Sequence, residues 1–252
     1  MQHPFSSPRM RVARAKEHIR NLDRRVKRFF DAKPYARVTE RDNDGLNDVH
    51  KVKLTKKFPA GVTSIAAEAI EGLRSALDHA AFATAIISGV KHSKSAYFPI
   101  SSSAAELDNV IKGRCKDVPP DIVSLFRSFN PYKGGNDLIW ALNSACNTSK
   151  HGIIVPVGMA AAGMHIKHMT ISGSGAIPAP VWNSEKNEIV FATIGPDTQF
   201  QYDLNISFFV AFGEVDGIGS QPAVPLLNAI ASEVNRIVLA VEAEAKRIGL
   251  CN

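Results

Sequence analysis

Residues Val62 to Val90, VTSIAAEAIEGLRSALDHAAFATAIISGV, constrain the fold more than any other stretch of the chain. Ile70, Leu73, Leu77, Ala80, Thr84 and Ile87 recur at the spacing of one helix face. A second line, Ile65, Ala69, Ala76, Ala83, Ile86 and Val90, makes the C-terminal half apolar nearly all round. Such a helix needs neighbours on more than one side, so the pattern predicts a central helix. Glu71, Arg74, Ser75, Asp78 and His79 interrupt it where that burial begins. Polar groups in such a place either satisfy one another or belong to a site.

A second helix is predicted from Arg9 to Asp31, where Val12, Ala15, Ile19, Leu22, Val26 and Phe29 step by threes and fours. Its other face is basic. The net charge of +6 is concentrated here: residues 1–34 carry ten Lys/Arg against three acids, and the rest of the chain is close to neutral. Arg14, Arg20, Arg24, Arg25 and Arg28 form a stripe with two readings. One is the solvated face of an amphipathic helix. The other is an electrostatic footprint for RNA, DNA or another polyanion, although no aromatic side chains interleave the basic ones. A membrane-surface helix is a third, weaker reading.

Pro34 stops that helix. Tyr35–Arg41 and Asn47–Lys56 then read as a hairpin around Asp42-Asn43-Asp44-Gly45. Short helices are expected at Ala104–Lys112, capped by Ser102 or Ser103, and at Asp121–Ser128. A longer one is expected at Asn136–Ser149. After Gly152 the period changes to two, with strands at Ile153–Val157, Met164–Ser172, Val181–Asn183, Glu188–Ile194 and Phe200–Phe212. Ser172-Gly173-Ser174-Gly175 reads as a flexible turn. Leu226–Ile248 is a last helix that Gly249 closes.

The fold class is therefore α+β: a helical core with an N-terminal β-hairpin, a C-terminal antiparallel β-meander and a closing helix. The expected division is 1–151, a helical region containing the hairpin at 35–56, and 152–252, the sheet with the last helix. The alternative is a single domain, with the similar seams of the first and last helices pairing. No uninterrupted apolar run long enough to span a bilayer occurs, and the N-terminus has no secretory h-region. Three scattered cysteines suit free thiols in a reducing compartment. A cytoplasmic location without membrane association is expected.

Two polar segments carry the chemistry. Glu71, Arg74 and Asp78, three and four apart, can form an ion-pair ladder, with Ser75 and His79 on the adjoining face. Asn143, Asn147, Lys150 and His151 follow one another along the end of a later helix. If the two helices pack side by side, these groups suit a phosphate and its protons. In that reading Asp78, Asn143, Asn147 and Lys150 bind the ligand, while Arg74, His79 and His151 are the candidate catalytic groups. The same residues could instead fix how two helices register. A metal site at Asp78, His79 and His151 lacks the paired-histidine or E-x-x-H spacing that would support it, so neither metal nor cofactor is expected.

The residues Gly72-Leu73-Arg74-Ser75-Ala76-Leu77-Asp78-His79-Ala80, Phe98-Pro99-Ile100 and Asn147-Thr148-Ser149-Lys150-His151 resemble a family of uncharacterised bacterial proteins. Those carry an L-R-x-A-L-D-H helix and a later N-x-D-K-H helix end. The resemblance covers roughly residues 10–157, departs at Ser149 where the family has an acid, and lends no activity. A looser similarity, through Arg74 and His79 as R-x4-H, is to HEPN domains. It implies a metal-independent ribonuclease in which His79 is the acid/base and Arg74 holds the phosphate, with the site completed across a homodimer. Residues five apart on a straight helix point about 140° from each other, so these two would meet only around a substrate, at a kink or across a dimer. The leading expectation is a protein binding a phosphate-bearing ligand, nucleotide or RNA, at a polar centre between two helices. The alternatives are the HEPN-like ribonuclease and an interaction protein with a buried polar registry network.

Overall fold

The computed structural model describes residues 3–148, 154–157, 164–179, 181–183, 185–213 and 221–251. Among these residues the chain forms six helices and antiparallel sheets, an α+β protein with an N-terminal hairpin and a closing C-terminal helix. The helices are α1 (Ser6–Asp31), α2 (Gly61–Ile87), α3 (Leu107–Arg114), α4 (Pro120–Ser128), α5 (Asp137–Thr148) and α6 (Ala223–Arg247). The strands are β1 (Tyr35–Arg41), β2 (Asp48–Leu54), β3 (Ile154–Val157), β4 (Met164–Ser172), β5 (Gly175–Ala176), β6 (Trp182–Asn183), β7 (Glu188–Ile194), β8 (Gln199–Ile206) and β9 (Phe209–Phe212).

The contacts divide the chain otherwise than a cut at residue 151. One compact unit comprises residues 1–23, 63–153 and 212–252, and the other residues 24–62 and 154–211. The hairpin goes with the later strands because β2 pairs antiparallel with β7, from Asp48 opposite Ile194 to Lys53 opposite Glu188. The closing helix goes with the helices because α6 packs on α4 and α5.

In the helical unit α1 and α2 run antiparallel. His18 faces Glu68 at 3.2 Å, and the Ser7 hydroxyl meets His79 at 2.9 Å. Between these rungs the backbones come close at Gly72, where an added methyl would lie 3.5 Å from the Ala15 Cβ and 3.9 Å from the Arg11 carbonyl. The seam positions predicted on α1, Val12, Ala15, Ile19 and Leu22, are buried. So are Ile70, Leu73, Leu77, Ala80 and Thr84 of α2, the last donating its hydroxyl to the Ala81 carbonyl at 2.7 Å. Arg9 of α1, and His3 ahead of it, reach the Glu242 carboxylate on α6. By length and composition α6 could also cross a membrane, but Leu227, Ile230, Val234, Ile237 and Val241 are buried along it in this unit.

The first and last helices start three residues earlier than expected, at Ser6 and Ala223, and two other starts differ in their capping. α3 begins at Leu107 with Glu106 at the N-cap and no side-chain cap, so Ser102 and Ser103 lie ahead of the helix and do not cap it. α5 begins after Asn136, whose Oδ1 caps the helix by accepting the Ile139 N–H.

The second unit is built on β7. Its sheet runs β1-β2-β7-β5, with β6 also on β7, while β4 pairs with β8 and β3 with β9. The long strand expected at Phe200–Phe212 is broken at Ser207 and Phe208, so β8 and β9 serve different partners. Phe208 instead packs against Tyr35 and stacks on Phe30. The run expected to be a flexible turn supplies β5. Gly175 lies opposite Ile194, whose Cδ1 would be 2.9 Å from an added Cβ, so a side chain there would require Ile194 to shift. Val52, Ile189, Phe191, Ala192, Ile194, Leu204 and Ile206 form the core.

The Gly72 contact yields a signed prediction. A methyl at 3.5 Å fits as an ordinary packing contact, and alanine suits a helix interior better than glycine by about 1 kcal/mol. Gly72→Ala is expected to raise the thermal midpoint by about 2–4 °C. Gly72→Leu, which must push α1 away, is expected to lower it. Calorimetry on both variants checks the pair.

Candidate functional site

The polar cluster of α2 divides into two sets of partners. Arg74 is 9% exposed. Its Nη1 donates to Asp78 Oδ1 at 2.7 Å and its Nη2 to the Phe98 carbonyl at 3.3 Å. Asp78 Oδ1 accepts the Phe98 N–H at 3.0 Å as well. The ion pair thus satisfies both backbone groups of Phe98, a requirement for a buried non-helical segment. Its ring is fully buried, 5.0 Å from that of Phe126. Among the described residues both hydrogen bonds to Asp78 use Oδ1, and none uses Oδ2.

The second set lies one residue further on. His79 and Ser75, four apart on α2, face a cavity of about 270 Å³ together with Asp78, Phe82, Ser93, Ala96 and Tyr97. Its rim is aromatic: Phe82 is 44% exposed and Tyr97 46%. The opposite wall, 93–97, is held by Asp117, whose Oδ2 accepts the Ser93 hydroxyl at 2.9 Å and the N–H groups of Lys94 and Ser95 at 3.0 Å. The Ser93 hydrogen bond above all, then that of Ser95, keeps this carboxyl below its usual range.

Burial holds the His79 imidazole below its ordinary value of 6.5. The Arg11 charge acts in the same direction and Asp78 opposes it. The ring is therefore neutral near pH 7, with one nitrogen able to donate and the other to accept. Arg11 is itself unusual. Its Nε is buried and has no hydrogen-bond partner among the described residues. Its charge is felt at His79, although Arg11 is not among the residues that line the cavity.

The expected residues are brought together in part. Arg74, Asp78 and His79 are adjacent on α2, but Arg74 and His79 take different partners, Phe98 and Ser7. Glu71 is exposed rather than part of a ladder. α5 does run near the cluster. Burial raises the Cys146 thiol, the Arg74 charge opposes the shift, and Glu71 and Asp78 reinforce it. Asn143 is half-buried and Asn147 exposed on α5, and among the described residues neither lines the cavity. Lys150 and His151 lie outside the described residues. Arg14, Arg20, Arg24, Arg25 and Arg28 are all exposed along α1. No group of three or more His, Cys, Asp and Glu among the described residues is placed to hold a metal ion.

Phe82, Tyr97, Ser93, Asp117 and Arg11 were not singled out from the sequence. Phe82 could have been, because it lies three residues beyond His79 and seven beyond Ser75, on the same face. The others belong to segments that only the tertiary fold brings to α2.

The Arg74–Asp78 pair is nearly dry on the arginine side and partly wet on the other, with side-chain exposures of 11% and 26%. Asp78→Asn is expected to cost about 2–3 kcal/mol in urea unfolding, between the values for surface and buried pairs, because it strands a buried guanidinium. Arg74→Met with Asp78→Leu is expected to cost at least as much, because it leaves both backbone groups of Phe98 unpaired. The histidines set a pH dependence. His50 in the second unit, like His79, titrates below 6.5, chiefly through burial. The unfolded chain then binds more protons than the folded one as pH falls through 6.5, so stability is full above that value and declines below it. Urea midpoints measured from pH 7.5 to 5 are expected to fall, and His79→Gln is expected to flatten the decline.

Compared with protein-family models, with curated proteins and with solved structures, the chain matches none.

Proposed function

We propose that the chain binds a mononucleotide or a nucleotide unit of RNA at the α2 cavity. The heterocycle lies against Phe82 and Tyr97, and the phosphate is drawn towards Arg11. The observation that carries this reading is the meeting of a neutral His79 and two half-exposed aromatic rims at one cavity, with the Arg11 charge felt at the imidazole. Asp78 Oδ2, the Ser75 and Ser93 hydroxyls and the imidazole supply the few directional groups that orient a small planar ligand. Aromatic faces bind bases with little sequence preference, and the exposed arginine stripe of α1 suits a longer polyanion.

A registry role for Arg74 and Asp78 has its own support in the clamp on Phe98. The two readings coexist. One side of the cluster holds the fold, and the other leaves Ser75 and His79 facing open space. The ribonuclease reading draws less support, since Arg74 is already engaged by Asp78 and a carbonyl.

Calorimetric titration with AMP, adenosine and inorganic phosphate tests the proposal. AMP is expected to bind tightest and to weaken with salt. Phe82→Ala, a change at a half-exposed position, is expected to reduce its affinity at least about tenfold, as loss of a base–aromatic contact does. AMP binding that is absent at millimolar concentration, or untouched in Phe82→Ala, would sink the proposal.

A further inference from the structure

The β-rich unit has a cavity of its own, lined by none of the residues of the α2 cavity. It has a volume of about 270 Å³ and is lined by Lys33, Tyr35, Arg37, Val52, Leu204, Asn205 and Ile206. Its floor is apolar, since Val52, Leu204 and Ile206 belong to the core of that unit. Both of its ionisable groups of full charge are cations, and no acidic side chain lines it among the described residues.

Two features show how those cations are held. Arg37 donates Nη2 to the Leu204 carbonyl at 2.8 Å, and its guanidinium lies 5.8 Å from the centre of the Tyr202 ring. One edge of the fork is thereby fixed, and the remaining nitrogens keep their donors. Lys33 sits at the end of α1 with φ of +45°, and its N–H closes the helix onto the Phe30 carbonyl at 2.9 Å. This left-handed capping position favours glycine, and a residue with a Cβ held there costs on the order of 1 kcal/mol. A lysine kept where glycine would be more stable, with its side chain lining a cavity, is strain at a place that can use the side chain.

We infer that this cavity binds a small amphipathic anion, an apolar body with a carboxylate head. The body rests on Val52, Leu204 and Ile206, and the head pairs with Lys33 and Arg37. Charge complementarity sets the sign of the head: Lys33 and Arg37 are exposed at the mouth, where they attract an anion and repel a cation. At ~30 Å³ for each water-sized volume, the space holds on the order of ten non-hydrogen atoms, the size of a medium-chain fatty acid or an aryl carboxylate.

Octanoate, 1-octanol, octylammonium and inorganic phosphate, each titrated into the full chain by calorimetry, test the assignment. Octanoate is expected to saturate at one site and to bind at least about tenfold tighter than the other three. Lys33→Gly is the informative variant, because it relieves the strained cap while removing the ammonium. The expected outcome is a higher thermal midpoint together with octanoate affinity reduced about fivefold or more. Arg37→Gln is expected to weaken octanoate similarly. The assignment is overturned if octanoate does not saturate or if octanol or octylammonium matches it. Phosphate binding as tightly as octanoate would remove the role of the apolar floor. Unchanged affinity in a folded Lys33→Gly protein would remove that of the lysine.

Discussion

The backbones of α1 and α2 meet at Gly72 and Ala15, and most of the helical unit follows from how closely they do so. A side chain longer than a methyl at residue 72 would separate them. At the observed distance, each step along one helix matches a step back along the other. His18 therefore falls opposite Glu68 and Ser7 opposite His79. The same register brings the Arg11 charge to bear on the imidazole, which no local feature of α2 would do. α1 is also tied to α6, where Glu242 is only 3% exposed and has Arg9, His3 and Lys246 around it. A buried carboxylate is tolerable only with such partners, and the first helix supplies Arg9 alongside Lys246 of the last.

The helices were legible in the sequence because their burial is periodic. Ile70, Leu73, Leu77 and Ala80 occupy one face of α2, and apolar residues three and four apart fall on one side of the chain only when it is helical. Strands were legible where alternation and turn chemistry agreed, as in the hairpin from Tyr35 to Leu54. They were misread where alternation ran through a break. Phe208 continues the pattern of β8 in sequence, yet it is recruited by Phe30, Tyr35 and Trp182, and pairing stops before it. Alternation reports which residues are apolar, not which partner strand they meet. The pairing of β2 with β7 joins residues about 140 apart and leaves no local trace.

The candidate site was legible as a place and not as an arrangement. The spacing of Arg74, Asp78, Ser75 and His79 located the cluster, since residues three and four apart share a helix face. It did not assign Arg74 to a backbone segment at Phe98, because that segment arrives from 24 residues away through packing of the Phe98 ring. The cavity wall of Ser93 to Tyr97 is likewise organised by Asp117, a residue with nothing in its sequence surroundings to mark it.

What separates a structural charge from one that can bind is the state of its partners, and this protein shows the contrast in both units. Arg74 and Arg11 belong to the same pair of packed helices and are identical in chemistry. The first has a carboxylate and a carbonyl in contact, whereas the second has a buried nitrogen with neither. In the sheet unit Glu188 is buried with Lys51 at 3.3 Å and Lys53 at 3.8 Å, and Lys51 is further held by Glu40 at 2.6 Å. Those charges neutralise one another and fix the register of β1, β2 and β7. Lys33 and Arg37 border a cavity that no acid lines among the described residues. A desolvated cation keeps an uncompensated demand for an anion, and folding meets that demand for Arg74 and Lys51. Lys33 and Arg37 are exposed instead, and the open space beside them is where an outside group can meet them.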